Sequence, residues 1–144
     1  MPQLRRVLVL PIALLLSAGA VASYRAYVPV SRLELEVRDP ALHPGTPLRV
    51  HMLSSGRGPI EVRVELVQGA HNEVVAVQRI HSRRWGVWDP RTVEHSLNTS
   101  VAGPMLAHFT NGPAVLRAVA LGAPAWLLQP PPVVREIPVE IRHD

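Results

Sequence analysis

The chain has 144 residues, 47% of them hydrophobic, with 15 basic residues that are all Arg, 11 acidic residues and no Cys. That length leaves room for one domain, and without cysteine its stability rests on a packed core rather than on disulfides. With Arg5 and Arg6 set apart, 13 Arg face 11 acidic residues, an excess too small and too interspersed for a phosphate-binding footprint, so nucleic acid is excluded as a partner.

Residues 1–22 read as a signal peptide or signal anchor. Arg5 and Arg6 form a positive n-region, Val7 to Leu16 an apolar h-region, and Ser17-Ala18-Gly19-Ala20-Val21-Ala22 a small-residue stretch whose Ala20-Val21-Ala22 fits the A-x-A cleavage pattern. The rival is a retained anchor, because Val7 to Tyr24 runs eighteen residues without a charge and Tyr24, Arg25 and Tyr27 stand where interfacial anchors stand. Either way the positive N-terminus stays in the cytoplasm and the rest is exported to a periplasmic or extracellular location. An all-Arg basic set with much Ala, Val and Pro suggests a high-GC bacterial genome.

Residues 23–32 read as a linker, and Leu33-Glu34-Leu35-Glu36-Val37 begins the alternation of a first strand. Asp39-Pro40 and His43-Pro44-Gly45-Thr46-Pro47 break it. Leu48, Val50 and Met52 give a second strand its inward face, with Arg49 and His51 outward. After a turn at Ser54 to Pro59, the stretch from Ile60 to Val67 is the clearest strand. Ile60, Val62, Val64 and Leu66 fall on one face and Glu61, Arg63 and Glu65 on the other, a pattern suited to the middle of a sandwich.

Gln68 to Asn72 has the residue types of a hairpin loop, so Glu73 to Ile80 is expected to return antiparallel. His81 to Arg91 has no period and reads as a long loop. Periodicity resumes at Val93, His95, Leu97, Thr99 and Val101. Met105 to Phe109 reads as one helical turn or an irregular crossover. Ala114 to Leu121 is apolar on both parities apart from Arg117, as in a strand covered on both sides or an interior one with a small-residue face. Gly122 to Pro132 is a second long loop. Ile137, Val139 and Ile141 make a last strand, and Pro138 suits an edge there because it cannot donate to a ladder. The fold class expected is all-β: an antiparallel two-sheet sandwich of about seven strands over residues 33–142, with no convincing helix.

Over 33–142 the chain resembles bacterial extracytoplasmic immunoglobulin-like domains. The resemblance is carried by Leu42-His43-Pro44-Gly45, by Gly112-Pro113-Ala114-Val115-Leu116-Arg117-Ala118-Val119-Ala120 and by Arg135-Glu136-Ile137-Pro138-Val139-Glu140-Ile141. There is no cysteine pair, and Ala114 stands where a corner tyrosine is expected. The resemblance implies a fold; function must come from a site.

If successive loops alternate between the two ends of the sandwich, the loops at 54–59, 81–91 and 122–132 share one end with the entry into the first strand. Arg57, Arg83, Arg84, Trp85, Trp88 and Trp126 then form a tip of the residue types that dominate binding hot spots, directed at an envelope protein or the membrane surface. The competing expectation is that the tryptophans pack into the core and the arginines are solvated loop charges. A second function class is a copper-type metal sandwich with His51, Met52, Met105 and His108 as ligands, although no two histidines stand at i, i+2 or i, i+4 and His95 falls on an apolar face. No nucleophile, base and orienting group converge in the sequence, so neither catalysis, a small-molecule substrate nor a cofactor is implied. Asn98-Thr99-Ser100 matches a glycosylation acceptor and reads as a chance match on an outward strand face. The function expected is a non-catalytic binding or structural module of the cell envelope.

Overall fold

The computed structural model describes residues 2–27, 30–54, 59–80, 93–122 and 131–143, with side chains described over 8–21, 32–54, 61–80, 94–122 and 131–143. Two helices and eight strands occupy this part of the chain: α1 (Pro2–Tyr27), β1 (Val30–Val37), β2 (Ala41–Leu42), β3 (Pro47–Ser54), β4 (Pro59–Gln68), β5 (His71–Arg79), β6 (Val93–Ser100), α2 (Gly103–Leu106), β7 (Gly112–Gly122) and β8 (Val133–Ile141). One sheet has the order β1-β3-β6 and the other β2-β8-β7-β4-β5. The all-β sandwich expected from the alternation is present, with two corrections.

The first correction is that the larger sheet is mixed. The dipeptide Ala41-Leu42, between two proline-containing breaks, forms β2 and lies parallel to the end of β8. The Glu140 N–H donates to the Pro40 carbonyl at 2.8 Å and the Arg142 N–H to the Leu42 carbonyl at 3.0 Å. Alternation along β8 then turns position 138 toward the same edge, beyond the short reach of β2, so the donor that Pro138 lacks is missing where no bond is made. This is an eighth strand, one more than the sequence pattern indicates.

The second correction concerns helices. The N-terminal segment is helical for 26 residues, to Tyr27, and carries Pro11 inside it. Leu8, Val9, Leu10, Ile12, Leu14, Leu15, Leu16 and Val21 are 51–73% exposed along it, while the Ser17 hydroxyl donates to the Ala13 carbonyl at 2.8 Å. Its described side chains, Leu8 to Val21, cover roughly 21 Å of helix. Among the described residues no helix is long and apolar enough to cross a membrane. The crossover before β7 holds a single helical turn, one of the two readings of this stretch; this turn, α2, begins earlier, at Gly103-Pro104, where proline costs no helical hydrogen bond.

The core lies between the inward faces of the two sheets. Leu48, Val50 and Met52 of β3 face Val62, Val64 and Leu66 of β4, Ala114, Leu116, Ala118 and Ala120 of β7, and Val139 and Ile141 of β8, all buried. Leu42, Val101, Leu106 and Phe109 close one end. Each large side chain contributes about 1.5–3 kcal/mol of transfer free energy. β4 is interior, as its alternation suggests, but β7 is the middle strand of its sheet, and its alanines let the two sheets approach. The apolar-on-both-parities reading of β7 thus resolves to an interior strand with a small-residue inner face.

Two turns fix the strand order at this end. Gly45 takes φ +87° in a turn closed by the Thr46 N–H donating to the His43 carbonyl at 3.0 Å, with Pro44 and Gly45 in the two central positions that a type II turn favours. Gly69 takes φ +59° at the first position of the two-residue link between Gln68 and His71, which face each other in register.

Candidate functional site

At one end of the sandwich the strand termini gather. Val30 of β1 lies beside Ser54 of β3, and Ser54 beside Val93 of β6. In the other sheet Pro59 of β4 lies beside Gly122 of β7, with Glu61 beside Arg79 and Ala120 beside Val133. The four residues between Ser54 and Pro59 reach at most roughly 17 Å, less than the roughly 27 Å length of an eight-residue strand, so both sets of termini belong to the same end. The sequence stretches 55–58, 80–92 and 123–132 therefore all leave from and return to the end at which β1 begins. Arg57, Arg83, Arg84, Trp85, Trp88 and Trp126 themselves lie outside the described residues.

The alternative ligand set is not brought together. His51 stands on the outer face of the three-stranded sheet, where its Nε2 meets the Glu94 carboxylate and its Nδ1 lies 3.1 Å from Ser96 Oγ. Met52, next in the strand, points the other way and is fully buried. Met105 packs against the core from α2. His108 lies against β5, of the other sheet.

The described end opposite the gathered termini carries a polar cluster that the sequence did not single out. His71 Nε2 and His108 Nδ1 donate to the same oxygen of Glu73, at 3.0 and 2.6 Å. The His71 ring meets the Phe109 ring edge-on with centroids 4.7 Å apart. His143 Nε2 donates to the Phe109 carbonyl at 2.7 Å, and the His143 N–H to Asn111 Oδ1 at 2.9 Å. Gln68 completes the knot: its amide accepts from the Thr110 N–H at 3.0 Å and donates to the Thr110 carbonyl at 2.9 Å, as a strand neighbour would. Together these contacts tie the β4–β5 hairpin, the segment after α2 and the chain beyond β8. Among the described residues no three His, Asp or Glu side chains form a group able to hold a metal ion; the two imidazoles and the carboxylate are joined by hydrogen bonds. The signal available in the sequence is His71-x-Glu73, two residues on one side of a strand; His108 arrives only through the path of the crossover.

Burial, the largest single influence on Glu73, works to raise its pKa. The hydrogen bonds from His108 and then His71, with their charges, outweigh it and hold the carboxyl below its ordinary value. A carboxyl with a lowered folded pKa stabilises the fold above its unfolded value of about 4.5 and ceases to do so as pH falls through the folded value. Glu73→Gln is therefore expected to lower the melting temperature at pH 7 and to melt closer to the parent chain at pH 3. Circular dichroism melts across that range check this; an equal deficit at both pH values contradicts it.

The outer face of the larger sheet holds a second network. Glu65 is only 8% exposed although its parity is outward. Arg63 Nη1 lies 3.4 Å and Arg117 Nη1 3.8 Å from its two oxygens. Arg63 also meets Glu61 at 2.9 Å, and Arg117 meets Glu136 at 2.8 Å. The hydrogen bond to Glu61 is the leading reason that the Arg63 guanidinium stays protonated above its usual range.

No protein-family model and no curated protein matches the sequence. Among solved structures, the crystal structure of a β-glucosidase from Listeria innocua is similar over 76% of this chain, with 13% identity and a TM-score of 0.39, and the chain spans 16% of that protein's length.

Proposed function

We propose that this chain is an exported, immunoglobulin-like sandwich that acts as a non-catalytic binding module of the cell envelope, meeting an envelope protein or the membrane surface through the end where β1 begins. The observation that carries the reading is the convergence of strand termini there: three chain stretches, containing all three Trp of the sequence and Arg57, Arg83 and Arg84, start and finish at that end. The exposed Leu8, Leu10, Leu14, Leu15 and Leu16 of α1 support export or tethering, because so continuous an apolar surface has no stable place in water. α1 leads into β1 at the same end, so a tethered sandwich presents that end to the bilayer, where Trp and Arg suit the headgroup zone.

Acrylamide quenching of tryptophan emission tests the reading on the 144-residue chain in neutral vesicles, before and after addition of anionic lipid or envelope extract. Ready quenching that becomes protected on addition is the expected result. Trp85→Ala and Trp126→Ala should each weaken that protection while moving the melting temperature by no more than a few degrees, as surface changes do. Emission already shielded in the free chain, or unfolding on either substitution, refutes the recognition end.

A further inference from the structure

On the outer face of the three-stranded sheet a hydroxyl, an imidazole and a carboxylate stand in line. Ser96 Oγ lies 3.1 Å from His51 Nδ1, and His51 Nε2 meets the Glu94 carboxylate. The ladder fixes this order: His51 and Ser96 are direct register partners across β3 and β6, and Glu94 is the neighbouring residue of β6 on that face. Beyond these strands the Val101 N–H donates to the Thr46 carbonyl at 3.1 Å, and the Val101 carbonyl accepts from the Gly45 N–H at 2.8 Å. Alternation from there makes His51 and Ser96 a non-hydrogen-bonded pair, the kind whose side chains approach most closely.

The carboxylate decides the tautomer. An ionised carboxylate only accepts, so Nε2 carries the proton toward Glu94 and Nδ1 presents its lone pair to the Ser96 O–H. A hydroxyl held by a base that a third group orients is the arrangement that activates a serine. All three groups stand on paired strands rather than on loops; Ser96 is exposed, and the His51 side chain is 30% exposed. Donors for a developing negative charge stand on the same strand. By the same alternation the Ser96 N–H points away from β3, toward the edge of the described sheet. Asn98 Oδ1 accepts from Arg49 Nε at 3.1 Å, which leaves the Asn98 amide N–H groups for another acceptor.

We infer that Ser96 is a covalent modification site, which accepts a short acyl group from an activated ester or thioester. Ser96 Oγ attacks the acyl carbon while its proton passes to His51 Nδ1, and Glu94 stabilises the imidazolium through Nε2. The tetrahedral adduct then collapses. The bond from its carbon to the leaving oxygen or sulfur breaks, the leaving group takes the proton from Nδ1, and Ser96 keeps the acyl group as an ester. The adjoining rows of the sheet hold Arg32, Leu53 and Glu94 on one side and Glu36, Arg49 and Asn98 on the other. With Leu53 alone apolar among them, the surface offers a long acyl chain no apolar bed, so the group is short. One acylation per chain is a modification rather than turnover, and it uses none of the residues assigned to the recognition end, so either reading can fail alone.

The test exposes the 144-residue chain in detergent micelles to p-nitrophenyl acetate at about pH 8, where free imidazole is neutral. The sequence has no Lys and no Cys side chain to compete for the acyl group. Mass spectrometry of the peptides should find one acetyl group per chain, on Ser96. Ser100 is an internal control, exposed on the same face of the same strand but paired with Pro47 instead of an imidazole. Ser96→Ala should abolish the modification, and His51→Gln should slow it roughly a hundredfold, the low end of what a positioned base contributes. Glu94 acts through His51, so nitrogen NMR of the ring should show a bare Nδ1 in the parent chain and the loss of that preference in Glu94→Gln. Circular dichroism should be the same throughout, because all three side chains lie on the outer face. Acetyl groups spread equally over Ser96 and Ser100, a rate unchanged in His51→Gln, or a folded chain that stays unmodified overturns the proposal.

Discussion

Leu116→Ala is expected to remove about 2–5 kcal/mol of folding stability, a large fraction of the roughly 5–15 kcal/mol that a domain has in total. Leu116 is fully buried on the middle strand of the larger sheet, with Leu66 of β4 and Ile137 of β8 as its register neighbours. Removing three carbons there leaves a void that β4 and β8 cannot collapse into, because both are pinned by their own ladders to β7. No disulfide holds the chain while the core loosens. Val119→Ala, three residues on but on the outer face of the same strand, is the matched control and should cost less than about 1 kcal/mol. Urea unfolding of the two variants beside the parent decides the matter. A Leu116→Ala chain within about 1 kcal/mol of the parent would mean that the sheets do not close on each other as described. Leu66→Ala combined with Leu116→Ala should be less than additive, because the two deletions share one cavity.

The strands that the sequence discloses are those whose side chains divide cleanly between core and water. β4 alternates Val62, Val64 and Leu66 against Glu61 and Arg63, and β3 alternates Leu48, Val50 and Met52 against Arg49 and His51, so a local period of two suffices. β2 offers no such period: two residues between Asp39-Pro40 and His43-Pro44 become a strand only because the β8 end, a hundred residues later, supplies N–H donors to the Pro40 and Leu42 carbonyls. Parallel pairing of this kind is non-local and leaves no trace in a short window. β7 marks the opposite case, where an apolar run signals an interior strand but cannot say which parity meets the core; the alanines at 114, 118 and 120 do.

Side-chain clusters are harder to foresee than strands. Parity alone puts Glu65 on the outer face, and it is there, yet it is buried because Arg117 reaches it from the neighbouring strand. His71 and Glu73 share a strand side and were within reach of a pattern argument, but His108 stands 35 residues further on and joins them only through the turn of α2. Polar convergence depends on where strands are laid beside one another, and a single sequence reports that weakly. The alternative set of His51, Met52, Met105 and His108 is not brought together either: His51 and Met52 are neighbours in the chain and therefore face opposite ways on β3, while Met105 and His108 lie in and just after α2.

Leu10→Arg combined with Leu14→Arg is expected to abolish membrane targeting of the chain altogether. Each arginine near the centre of an inserted helix costs about 2.5–3.5 kcal/mol on the insertion scale, so the pair shifts the balance by about four powers of ten. The positions matter because both side chains stand free of the sandwich, at 67 and 63% exposed, so their replacement leaves the folded domain untouched. Within the helix the hydroxyl of Ser17 is satisfied by the Ala13 carbonyl, and the eighteen residues from Val7 to Tyr24 carry no charge, so the two arginines would be the first charges in that stretch. Fractionation of cells that express the parent and the double variant, with the mass of the recovered chain, separates the outcomes. A parent chain recovered from the envelope at full mass identifies an anchor, and one recovered outside the cytoplasm without its first 22 residues identifies cleavage after Ala22. In both cases the double variant should remain in the cytoplasm at full mass. A parent chain found in the cytoplasm, or a double variant exported as efficiently as the parent, refutes the envelope address.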